Sequence, residues 1–427
     1  MLLILILVNN MLKKKDLDRL KKKNKNNKVL NRIFNKTALV DLVTDYKDNL
    51  DIVFDIEVKT HGVVDQKSTG RCWSYAGLNI LREQVIKKCN INNFELSGSY
   101  IAFYDKLERF NLYMEKLKRY HEQGKDVYDK DIRLILKTGF DDGSNYSEFK
   151  ELIKKYGVMP KSKFSNSFQS NDTVELNEIL SRLLRKYYLD LCNEKDVSNY
   201  LDYAYKVLGT VYGIPDEKFD FEYIDINNKY HINYNLTPKS FYDKYIGIDL
   251  DNYIEIYCYE DDKNKYNNMY YVEDSSLISG KKSNLVLNIK YDDLEKLIIK
   301  QLKNNEPVYF SSSTSSKYEK GLWIDLMDRY SDIFDIDLRL TNNEIVKTYG
   351  TSGEHSMVIT GKSKDKWKIE NSWGFNEGIN GYFIAEDLFL RNYIISAVIN
   401  KKYLNKEQKM ILEKDPIKVN KWELKFI

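Results

Sequence analysis

Residues 66–82, QKSTGRCWSYAGLNILR, constrain this chain more than any other stretch. The segment starts as a loop, because Asp65, Ser68, Thr69 and Gly70 are turn formers. From Cys72 it becomes apolar at helical spacing. Trp73, Ala76 and Ile80 fall on one face, and Leu78, Leu81 and Val85 on the opposite one. A helix apolar on both faces is normally buried, so the rest of the chain must pack around it. Cys72 then sits where a loop enters a central helix. The unpaired N–H groups and dipole of a helix start favour an anion and lower a thiol from its usual pKa of about 8.5. The thiolate is the nucleophilic form. Gln66, one loop upstream, brings a carboxamide able to donate to an oxyanion. A free cysteine is more often a small buried hydrophobe, so the far end of the chain decides between the two readings.

There, His355 to Gly361 reads as one strand, residues 362–366 as a polar turn, and Trp367 to Asn371 as the return strand. With the turn centred near Ser363, His355 and Asn371 come out directly opposite one another, with Cβ atoms roughly 5 Å apart. The Asn371 oxygen can then accept from one imidazole nitrogen and fix the ring, leaving the other nitrogen to face a thiol. This is the arrangement of nucleophile, base and orienting group. Trp373 is placed to shield that hydrogen bond from water.

Other chemistries leave no trace. The sequence has no C-x-x-C, G-x-S-x-G, H-E-x-x-H, P-loop or G-x-G-x-x-G motif. Its four cysteines, Cys72, Cys89, Cys192 and Cys258, are widely spread and read as free thiols of a reducing compartment. A net charge of +3 on 427 residues argues for neither nucleic acid nor membrane as the main partner. The lysine-dense run from Lys13 to Lys28 reads as a solvated arm, with a polyanion contact as the alternative. Met1 to Val8 is apolar but too short to span a bilayer and lacks signal-peptide features, so a soluble cytoplasmic protein is expected, with Met11 a candidate start. The 34 tyrosines are read as codon bias rather than function.

Taken together, Gln66, Cys72-Trp73, His355 and the run Asn371-Ser372-Trp373-Gly374 resemble the active-site blocks of papain-like cysteine peptidases. The longer blocks DQKSTGRCW (65–73), FELS (94–97), YDKLER (104–109), KYGVMP (155–160) and WKIENSWG (367–374) are similar to the bleomycin hydrolase and aminopeptidase C branch. The resemblance runs from about residue 30 to the end. It implies an α+β, papain-like two-lobe fold: a helical lobe plus a β-rich, barrel-like lobe, with a large helical insertion. The corresponding division is 1–60 as basic arm and hook, 61–185 as helical lobe, 186–295 as insertion, 296–400 as β-rich lobe, and 401–427 as an arm directed to the cleft.

The resemblance also implies a cysteine aminopeptidase acting on peptides, with Cys72, His355, Asn371 and Gln66 catalytic and Trp73 and Trp373 supporting. No metal or organic cofactor is called for. Family members form homohexameric rings, and the terminal carboxylate of the arm, Ile427 here, holds the substrate amine. Two departures bear on substrate binding. The tail ends WELKFI (422–427) without the family's small-residue ending, which leaves an endopeptidase as the alternative. The family's DGGQ loop reads DGSN (142–145), so Gly143 and Ser144 are expected at the substrate, with Ser144 narrowing a subsite. A non-catalytic, polyanion-binding ring protein is the reading from another class.

Overall fold

The computed structural model describes residues 12–23, 27–43, 53–273, 276–278, 284–314, 321–351 and 354–420. The central helix forms where the pattern places it, at Cys72–Cys89. Trp73, Leu78, Leu81 and Val85 are all almost wholly buried, so both apolar faces are covered. Gly77 explains one close approach: a Cβ there would lie 2.4 Å from the Phe149 ring on the Tyr146–Tyr156 helix. The Cys72–Cys89 helix ends at Asn90, whose left-handed backbone (φ 53°) returns an N–H to the Ile86 carbonyl. Beyond it, Ser97 is an N-cap. The Ser97 hydroxyl accepts the Tyr100 N–H and starts the long Gly98–Glu122 helix. The Val174–Cys192 and Tyr200–Tyr212 helices pack on that one and complete the helical lobe.

The strands in chain order are β1 (Ile56–Glu57), β2 (Phe219–Ile224), β3 (Tyr230–Leu236), β4 (Tyr253–Tyr257), β5 (Asn268–Glu273), β6 (Leu285–Asn288) and β7 (Val308–Ser313), then β8 (Leu322–Trp323), β9 (Glu354–Lys362), β10 (Lys366–Glu370), β11 (Tyr382–Glu386), β12 (Ile394–Asn400) and β13 (Ile417–Asn420). Strands β2 and β3 form a separate hairpin. Among the described residues, the others make one 11-stranded mixed sheet in the order β13-β5-β6-β4-β12-β7-β9-β10-β11-β8, with β1 added to β9. Its own core includes Ile256, Leu287, Phe310, Trp367 and Ile369, distinct from the core around Val85, Phe103, Phe110 and Leu180. The architecture is α+β, a helical part and a β-rich part each with its own core, as expected.

The stretch 186–295 differs from a helical insertion. Only its first part is helix and hairpin, while β4, β5 and β6 belong to the large sheet. The reason lies in Tyr253-Ile254-Glu255-Ile256-Tyr257, whose tyrosines supply apolar surface: Tyr257 is buried along with both isoleucines. The boundaries at 185 and 295 both fall inside helices, Val174–Cys192 and Tyr291–Lys303. At the N-terminal side, the Lys14–Lys23 helix has no buried residue, in keeping with a solvated arm.

Candidate active site

Cys72 is the first residue of its helix, so its own N–H and that of Trp73 have no partner within the helix. Arg71 caps the helix through its carbonyl, which accepts from Ser74 and Tyr75. The Ser356 N–H, from β9, donates to the Cys72 sulfur at 3.4 Å. Helix and sheet therefore meet at this thiol. Burial pushes the Cys72 thiol up from its ordinary value, and the charge of Glu354 adds to the rise. The N–H groups of Ser356, Trp73 and Cys72 itself pull it down without prevailing. The helix start alone therefore does not yield the thiolate that the sequence argument expects. Desolvation outweighs it, and ionisation needs a cationic partner.

His355 Nε2 donates to Asn371 Oδ1 at 2.7 Å; an amide oxygen can only accept, which sets the tautomer. The same oxygen accepts the Ser372 N–H at 2.7 Å. The pair meets, but not as directly opposite residues. The ladder pairs Ile369 with Ile359 and Glu370 with Val358, so its continuation would set Asn371 beside Met357. The turn is tighter and later than a turn centred on Ser363, with the Ser363 N–H bonded to the Lys366 carbonyl, and the ladder slips between Lys368 and Ile369. Turn geometry sets register. Asn371 leaves the ladder, its N–H taken by the Gly381 carbonyl, and reaches His355 diagonally. Trp373 stacks on the imidazole, with ring centroids 4.8 Å apart and planes at 26°.

Gln66 is buried. Its Oε1 accepts from Ser372 Oγ at 2.5 Å, and its Nε2 donates one hydrogen to the Thr69 carbonyl at 2.5 Å. A carboxamide nitrogen carries a second hydrogen. Backbone bonds hold this loop to the segment after Asn371: Gln66 N–H to Ser372 C=O at 2.8 Å, and Gly374 N–H to Val64 C=O at 3.0 Å. Gly374 has φ 89°, and a side chain there would press on Asp65.

The sequence reading missed Asp142. One of its carboxylate oxygens accepts from Lys106 at 2.7 Å and Asn177 at 3.0 Å, and the other accepts the Gly70 N–H at 3.0 Å and the Thr173 hydroxyl. Its carbonyl accepts the Trp73 indole N–H at 2.7 Å. Burial opposes the charge, but Lys106 and these donors hold the Asp142 carboxyl well below the usual carboxylate range. Asp142 thus fixes both the loop before Cys72 and the Trp73 ring. The signal lay in YDKLER and DGSN, two blocks whose sequences do not by themselves pair Lys106 with Asp142.

A cavity of about 460 Å³ opens beside Cys72. Gly143 and Ser144 line it. The Ser144 hydroxyl is turned onto Glu148, which ties it to the wall. Ile427 lies outside the described residues.

The chain is similar to known proteins in both sequence and structure. The model of the Peptidase C1-like family matches residues 10–424. Aminopeptidase C of Lactobacillus helveticus is 34% identical over 398 residues, covering 88% of each chain. Aminopeptidase G of Lactobacillus delbrueckii subsp. lactis is 33% identical over 388 residues, covering 87% of this chain and 88% of its own. The crystal structure of PepW from Lactobacillus rhamnosis superposes with a TM-score of 0.87 at 30% identity, covering 97% of this chain and 99% of that one.

Proposed function

The chain belongs to the Peptidase C1-like family and is a cysteine-type peptidase, and from that premise we propose that it is an aminopeptidase working through Cys72, His355 and Asn371. One observation carries the reading: His355 is clamped by Asn371 through Nε2 while the next residue's N–H touches the Cys72 sulfur. Nδ1 is then the nitrogen for the thiol.

The chemistry follows from these atoms. Nδ1 of His355 takes the Cys72 proton, and the imidazolium compensates the buried thiolate that the helix start alone cannot hold. The thiolate attacks the carbonyl carbon of a peptide's first residue. The second N–H of the Gln66 carboxamide and the Cys72 N–H receive the oxyanion, each such donor contributing about 3 kcal/mol in comparable sites. His355 passes its proton to the leaving amine, and water then releases the amino acid from the thioester. Names of relatives favour removal of single amino-terminal residues over internal cleavage. Assembly into a hexameric ring belongs to the same proposal, and light scattering of the purified protein checks it.

The test is Cys72→Ala. Hydrolysis of leucyl-7-amido-4-methylcoumarin should fall by at least about 10⁴-fold with an unchanged circular dichroism spectrum. Retained hydrolysis would exclude this nucleophile.

A further inference from the structure

The site is assembled from pieces of chain far apart in sequence. Three of them are the Cys72–Cys89 helix, the loop at 61–66 that ends in Gln66, and β10, which runs into Asn371. Arg82 touches all three. It lies ten residues beyond Cys72 on the same helix, about 15 Å along the axis, and is 2% exposed. It is outside the lining of the cavity beside Cys72.

One terminal guanidinium nitrogen, Nη2, carries two hydrogens. It donates to the Glu370 carboxylate at 2.9 Å and to the Gly62 carbonyl. Glu370 is the last residue of β10 and stands immediately before Asn371. Gly62 lies four residues before Gln66. Glu83, next on the helix, accepts the His61 N–H at 3.0 Å and accepts from His61 Nδ1 at 2.6 Å. The start of the loop is therefore anchored on the helix by two successive residues. Taking two charges out of water is costly, so holding two cores together does not call for an ion pair. What the pair adds is direction. An apolar seam tolerates sliding, whereas a planar guanidinium fixes both of its acceptors on one nitrogen.

We propose that Arg82 is a positioning residue, which through Nη2 sets the Gln66 loop and the Asn371 end of β10 against the helix that carries Cys72. The proposal rests on the Cys72, His355 and Asn371 reading above and names what keeps that constellation in place. Asn371 holds the imidazole, so a shift of β10 against the helix carries the base away from the sulfur. A shift of the loop carries the second Gln66 N–H away from the oxyanion. A misplacement of about 1 Å is enough to lower a rate by about 10²-fold.

The test uses the full-length protein with the pair replaced rather than broken. Arg82→Met together with Glu370→Met puts two unbranched apolar side chains into the seam, an exchange that is often neutral or stabilising for a buried pair. The thermal midpoint of this double variant should match that of the wild type. Its kcat for leucyl-7-amido-4-methylcoumarin should nevertheless fall by about tenfold or more, with KM within about threefold. Alkylation of Cys72 by iodoacetamide at mildly acidic pH should slow in parallel. A stable double variant with wild-type kcat and wild-type alkylation would overturn the proposal, because the pair would then serve stability alone. Should the double variant fail to fold, Arg82→Lys decides. It keeps the charge on a stem one bond shorter and loses the fork, so kcat should fall by about three- to tenfold. Wild-type kcat in Arg82→Lys would overturn the proposal. Alkylation needs no turnover, which separates the two readings. A wild type that releases no amino-terminal residue sinks the aminopeptidase reading, and slower Cys72 alkylation in the variants still supports the clamp. Alkylation as fast in both variants as in the wild type sinks the clamp.

Discussion

Asn371 uses one oxygen for two bonds, to the His355 imidazole and to the Ser372 N–H, so its carboxamide has a single useful orientation. Asn371→Ala frees the ring to turn and to take the wrong tautomer. It should lower kcat by about 10- to 100-fold while leaving KM within about threefold, as steady-state kinetics would read. A loss in KM alone would mean that Asn371 positions substrate instead. The candidate site residues stood out in the sequence because each is a rare residue type in a distinctive setting: a cysteine opening an apolar helix, a histidine in a strand, an asparagine on the return strand. Less legible was the balance at the thiol. Helix-start stabilisation can be read from the position of Cys72, but desolvation depends on which strands close over it, and Ser356 lies 284 residues away in the sequence.

Among the elements, the loop before the Cys72–Cys89 helix owes its shape to a buried ion pair. Lys106 and Asp142 are both nearly inaccessible and lie 2.7 Å apart. Removing one partner strands the other charge, which costs roughly 3–5 kcal/mol in buried pairs. Asp142→Ala should therefore lower the thermal midpoint strongly and leave the Gly70 N–H and the Thr173 hydroxyl without their acceptor. The folded Asp142 carboxyl lies below its unfolded value, so its contribution is present above about pH 4 and is lost as pH falls further. Asp142→Asn should flatten the acid limb of the wild-type stability profile; an unchanged limb would contradict the assignment. The Cys72–Cys89 helix was readable from its apolar periodicity alone. The strands β4 to β6 were not, because tyrosine and asparagine dominate their neighbourhood and hide the alternation. The register of β9 and β10 was missed by two residues for a local reason: the position of a four-residue turn cannot be read from a run of polar residues.

Across the whole molecule, two cores are tied together at the site they create. Arg82 of the central helix pairs with Glu370 of β10 at 2.9 Å, both side chains almost fully buried, immediately before Asn371. Burial pushes Glu370 up to about 7 in spite of Arg82, which marks how far this contact lies from water. The loop at residues 64–66 adds backbone bonds to residues 372–374. The relative placement of sulfur and imidazole thus rests on tertiary contacts spanning nearly the whole chain, which no local pattern encodes.

Reaction with iodoacetamide at mildly acidic pH, mapped residue by residue by mass spectrometry, probes that placement most directly. Among the four thiols Cys192 is exposed and Cys72 is buried. The account predicts that Cys72 is alkylated well before Cys192, with activity lost in step, and that His355→Ala abolishes the preference. Alkylation of Cys192 first, with Cys72 untouched and peptide hydrolysis intact, would contradict it.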